Sequence, residues 1–173
     1  VSIATQKALA ANPISMTYQP FACRDDLERF LKSIKFQNPA AVTLTMKKRA
    51  GGRLADPIIA SENFRHFRNR LNHALLGSRA KRYGSRLLMV VVLEMSADHR
   101  LHFHCIIHRP YNCPFSQFET IIHEQWWKTD FGYHQVDVQD QSDAGWTDYI
   151  LKQRQKRSLL DSIDWANCQL IAE

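Results

Sequence analysis

The sequence predicts an α+β domain built on one antiparallel sheet. Three observations predict it. Residues 41–47, 101–109 and 133–139 alternate apolar and polar side chains, the period of a half-buried strand. The Leu- and Val-rich run Arg86–Glu94 reads as a more deeply buried strand. Between these segments, apolar residues recur at helical spacing. At 173 residues the chain has the size of one domain. Its composition, 45% hydrophobic and 23% charged, excludes disorder for most of that length.

The elements follow in order. Residues 1–22 lack periodicity and read as an irregular arm, with a short extended piece near Ile14–Gln19. Asp25 and Glu28 have capping-box spacing, and Leu27, Phe30, Leu31 and Ile34 make one helical stripe that ends at Asn38-Pro39. In Ala41–Lys47, Val42, Leu44 and Met46 face one way and Thr43 and Thr45 the other. A loop opens at Gly51-Gly52. Ser61 is the expected cap of a helix reaching Gly77, with Phe64, Phe67, Leu71 and Leu75 inward. Arg86–Glu94, a turn at Ser96–His99 and Leu101–Arg109 make a hairpin. Ser116 and Glu119 suggest a second capping box, before a helix whose apolar face is Phe118, Ile121, Ile122 and Trp126. Tyr133–Gln139 is the fourth strand. A last helix runs from about Ser142 or Asp143 to Lys156.

The middle six elements match a ferredoxin-like, RRM-like split β-α-β unit. The chain thus reads as a single domain, residues 1–173, with a core over about 41–156. An N-terminal arm and helix fill 1–38, and a C-terminal tail fills 158–173. Two crossover helices cover one sheet face and leave the other for a site. Leu88, Val90 and Val92 nevertheless share the parity of Glu94, so the arm or the Asp25 helix is expected to cover that part of the open face.

Charge and cysteines narrow the function classes. The net charge of +6 favours a polyanionic partner. Arg65, Arg68, Arg70, Arg79, Lys81, Arg82 and Arg86 form the densest basic stretch. With Lys156, its members Arg65, Arg68, Lys81 and Arg82 are candidate DNA contacts; a solvated helix face is the competing reading. Trp126, Trp127 and Trp146 are candidates for base stacking, although Trp126 continues an apolar stripe. The four cysteines form no C-x-x-C pair, so free thiols in a reducing cytoplasm are expected. No apolar run reaches membrane-spanning length and no signal peptide is visible.

The chemistry concentrates on two segments. In Leu101-His102-Phe103-His104-Cys105 the two imidazoles share one face and Phe103 and Cys105 the other. A hairpin centred on Asp98 sets Glu94 opposite His102. A one-residue slip would bury an unpaired carboxylate among Leu and Val, so this register is favoured. Glu94, His102 and His104 then form a site for a divalent cation. On the last helix, Tyr149, Lys152, Gln153 and Lys156 share one face. Tyr149 reads either as a nucleophile with Lys152 beside it, or as a buried aromatic next to Trp146 and Ile150.

Glu94, His102-Phe103-His104 and Tyr149-Ile-Leu-Lys152, in that order, resemble the HUH endonucleases, in which U is a bulky hydrophobic residue. Val42-Thr43-Leu44-Thr45 resembles the first replication-initiator motif. Histidines ahead of the tyrosine resemble the rolling-circle replication-initiator branch and the related single-strand transposases. The resemblance spans roughly Ala41 to Lys156. It implies that His102, His104 and Glu94 bind Mg2+ or Mn2+. It implies that Tyr149, assisted by Lys152, attacks a phosphodiester of single-stranded DNA at an origin or hairpin and leaves a 5′-phosphotyrosine. Gln153 stands where two-tyrosine members often carry their second tyrosine, which implies a single-tyrosine enzyme. No helicase domain follows, so unwinding would fall to a host helicase.

Two rivals stand beside this reading. A non-catalytic RNA-binding module would stack bases on the open sheet face, but Phe103 has the wrong parity. A non-haem iron oxygenase would also use two histidines and a carboxylate, but it leaves Tyr149, Lys152 and the basic charge unused.

Overall fold

The computed structural model describes residues 20–140, Gly145 and residues 160–170. The expected arm over 1–22 lies outside the described residues up to residue 19, and its last three residues open a helix instead; the expected helix carrying Tyr149, Lys152 and Lys156 also lies outside the described residues. The described chain runs α1 (Pro20–Ser33), β1 (Pro39–Met46), β2 (Arg49–Ala50), β3 (Arg53–Leu54), α2 (Pro57–Leu76), α3 (Ser78–Tyr83), β4 (Met89–Met95), β5 (Leu101–His108), α4 (Phe115–Trp127) and β6 (Gly132–Asp140). A single 3-10 turn, Leu160–Ser162, follows.

Four strands form one antiparallel sheet in the order β4-β5-β1-β6, so β5 lies between β1 and β4. Alternation sorts the side chains onto two faces. Val42, Leu44, Met46, Met89, Val91, Phe103, Cys105 and Ile107 face α2 and α4, where Phe64, Phe67, Leu71, Phe118, Ile122 and Trp126 complete the main core. The Trp126 indole N–H donates to the Thr45 carbonyl at 3.0 Å, which ties α4 to β1. Trp126 is thus core, whereas Trp127 is 61% exposed. Gly132 begins β6 where a Cβ would lie 2.0 Å from the Trp126 carbonyl oxygen, so only glycine fits.

Described residues cover part of the opposite face. Leu27 and Leu31 of α1, together with Ile163, pack on Ala41, Val90, Val92 and Ile106. The helix, with help from beyond β6, is therefore what shields the apolar part of this face. Residues 160–170 form an integral strap along the β4 edge. Met89 N–H donates to the Gln169 carbonyl at 2.8 Å and Asp164 N–H to the Val91 carbonyl at 2.9 Å. Asn167 ties the strap to α2 through the Ser61 carbonyl at 2.9 Å. Cys168 sits in this strap, and burial pushes its thiol up to about 11, so it is no nucleophile at neutral pH. Cys105, Cys113 and Cys168 are free thiols.

Several helix starts differ from the sequence expectation. α2 begins at Pro57, with Asp56 accepting from Ile59 N–H at 2.8 Å. Aspartate before proline supplies both a cap acceptor and a preset φ, and it pre-empts Ser61. Asp25 lies inside α1, and Ser116 lies inside the first turn of α4 behind Pro114. Ser and Glu three apart also occur within helices, where the backbone N–H is already bonded. The short α3 and the β2–β3 hairpin across Gly51-Gly52, both at positive φ, carry too few residues for periodicity to reveal them.

Candidate metal centre

The β4–β5 turn sets the register of the site. Ser96 N–H donates to the Arg100 carbonyl at 2.9 Å, and the Ser96 hydroxyl hydrogen-bonds the Asp98 carboxylate. Lys48 lies 3.3 Å from that carboxylate. The Ser96 hydroxyl, with Lys48 adding to it, holds the Asp98 carboxyl down at about 2. This turn pairs Glu94 with His102, Val92 with His104 and Leu93 with Phe103, the register expected from the sequence.

Three side chains converge on the open half of the face. Glu94 Oε2 lies 3.6 Å from His102 Nε2 and 3.5 Å from His104 Nε2. The two rings are nearly perpendicular, at 88°, with centroids 4.9 Å apart. Among the described residues these three form the one cluster of His, Cys, Asp or Glu whose ligand atoms all lie within 4.8 Å of one another. Their side chains stay 19–26% exposed, so solvent reaches the cluster.

The far ring nitrogens are also engaged. His104 Nδ1 lies 3.2 Å from Thr43 Oγ1, and His102 Nδ1 faces the Arg100 carbonyl at 3.5 Å. An N–H on Nδ1 directed at an oxygen leaves the Nε2 lone pair for a cation, the usual outer support of a metal-bound histidine. Two imidazole nitrogens and one carboxylate oxygen are a donor set that would suit a divalent cation. Thr43 is the site residue that sequence reasoning leaves without a role. Its signal is the strand parity it shares with His104 across β1 and β5.

Of the other expected site residues, those that are described lie away from the triad. Tyr149, Lys152 and Lys156 fall outside the described residues. Arg65 is exposed on α2, whose inner side packs on the sheet face away from the histidines. Arg68 donates to the Ala166 carbonyl at 3.0 Å, and burial, with Arg86 adding to it, lowers its pKa. Its guanidinium thus holds the strap. Lys81 and Arg82 are exposed on α3, at the end of β4 remote from Glu94.

A family model for the replication-associated protein ORF2 matches residues 39–157. The chain belongs to that family. The family span opens on the first residue of β1 and takes in all four strands of the sheet and all three candidate ligand side chains. No curated protein and no solved structure matches the chain. Among the described residues, no helix is long and apolar enough to cross a membrane.

Proposed function

We propose that this replication-associated protein is a metal-dependent, HUH-type endonuclease and strand transferase that initiates rolling-circle replication by nicking single-stranded DNA. The carrying observation is the convergence of Glu94, His102 and His104 on one accessible patch of the sheet, within a chain of this family. Family membership favours replication initiation over strand transposition. A divalent ion held there supplies a Lewis acid for a phosphate oxygen. Mn2+ suits the two imidazoles better than Mg2+, which prefers an all-oxygen shell.

Tyr149 is the nucleophile. Its phenol loses a proton, its oxygen bonds to phosphorus and the P–O3′ bond breaks. The products are a 5′-phosphotyrosine and a free 3′-OH, and the stored ester allows rejoining. Lys152, three residues further along the chain, favours the phenolate in this reading. The support for this assignment is the order of Glu94, the His102-Phe103-His104 pair and Tyr149-Ile-Leu-Lys152 along a chain of this family. The enzyme works in a bacterial or host-cell cytoplasm, with a host helicase opening the duplex.

The test is incubation with single-stranded DNA and Mn2+, followed by a search for a protein–DNA adduct that survives denaturant. The wild type forms one, chelator suppresses it, and Tyr149→Phe abolishes it while DNA binding persists. A full adduct yield in Tyr149→Phe contradicts the assignment and moves attention to Tyr133 or Tyr111. The oxygenase and RNA-binding readings predict no adduct at all.

A further inference from the structure

A second site lies at the other end of the sheet. A cavity of about 490 Å³ opens between the end of α1, α3 and the loop after β5. Lys35, Arg79, Arg86 and His108 line it, and none of its lining side chains is acidic. Lys35 and Arg79 are exposed. Arg86 is fixed in place, with Nη1 donating to the carbonyls of Ala80, Gly84 and Ser85 at 3.2, 2.9 and 3.0 Å. Nδ1 of His108 is buried with no hydrogen-bond partner. Tyr111, 84% exposed, stands at the rim beside Asn112. The neighbouring carboxylate of Asp140 is taken up by Arg109 at 3.6 Å.

Arg86 has a folding role at the carbonyls closing α3, but Lys35 and Arg79 are exposed beside it, and like charges gathered with no acid in the lining repel one another. An anion gives a reason to gather them. The cavity is wide enough for a phosphate with its sugar, and an exposed ring at the rim suits the adjoining base. Along the strands, His102 and His108 are separated by roughly 20 Å, at about 3.3 Å per residue. We propose that this cavity is a phosphate subsite that grips the backbone of the single-stranded DNA substrate several nucleotides from the metal centre, through Lys35, Arg79 and Arg86. The identity of the ligand as DNA rests on the function proposed above.

The subsite anchors the strand and does no chemistry, so affinity is the readout. Fluorescence anisotropy with a labelled single-stranded oligonucleotide, titrated across salt concentrations, measures it on the full chain. The double variant Lys35→Ala/Arg79→Ala removes two exposed side chains and is expected to fold. It should weaken binding about tenfold or more, and the slope of log affinity against log salt should shrink by about 0.7 for each phosphate no longer neutralised. Arg29→Ala removes the same kind of charge from an exposed residue already paired with Asp26, and it should leave affinity and slope unchanged. Wild-type affinity and slope in the double variant would overturn the proposal. So would an equal loss in Arg29→Ala, because the effect would then be net charge alone. If no adduct forms but the double variant still loses affinity, the subsite stands and the nicking assignment fails.

Discussion

His104 illustrates how one atom's partner decides another atom's use. Its Nδ1 meets Thr43, which turns Nε2 to face Glu94. Thr43→Val keeps the shape and removes the hydroxyl, so Mn2+ affinity should fall by about tenfold while the fold persists, as calorimetric titration would record. His108 responds to acid. Burial lowers its pKa from 6.5, against a hydrogen bond to the Gln37 backbone that raises it. The unfolded chain therefore takes up the proton first, and stability declines as pH falls below 6.5. Denaturant melts at stepped pH should show that decline in the wild type and a shallower one in His108→Asn. At Gly132 the constraint is steric. Gly132→Ala drives a methyl into the Trp126 carbonyl, and a loss of about 2 kcal/mol or more is expected in the same melts.

Among the elements, the hairpin is the most legible in the sequence and the helix starts are the least. The His-x-His parity and the Glu94 register can be read because a slip would bury a charge, a penalty large enough to leave one solution. The helix starts mislead because Asp25, Ser61 and Ser116 carry cap-like spacing without cap backbone geometry. The stripe of α1 is legible, and the parity of Val90 and Val92 already calls for a cover, but periodicity leaves open whether the arm or the helix provides it. The structure seats the helix on Val90, Val92 and Ile106. Leu31, fully buried there, is the test of the element. Leu31→Ala should destabilise the fold by about 2–5 kcal/mol in chemical denaturation, because the cavity lies against a sheet that cannot collapse into it.

For the molecule as a whole, the sheet divides labour between its faces. One face builds the core with α2 and α4, and the other carries α1 and the candidate metal centre side by side. The basic stretch is visible as composition, but the fold disperses it. Arg65 stands on the helix layer behind the sheet, Arg68 holds the strap, and Arg79 and Arg86 join Lys35 from a distant segment. Clustering along the chain therefore does not equal clustering in space, and no single run of charge leads to Lys35. The family match makes this a replication-associated protein, and the function proposed for it requires a cation at the Glu94, His102 and His104 cluster. Isothermal titration of the metal-free protein with Mn2+, in wild type and in Glu94→Gln and His104→Ala, tests that claim most directly. One ion should bind per wild-type chain, with binding weakened at least about tenfold in both variants while their metal-free melting stays cooperative. Equal Mn2+ affinity in all three proteins would contradict it.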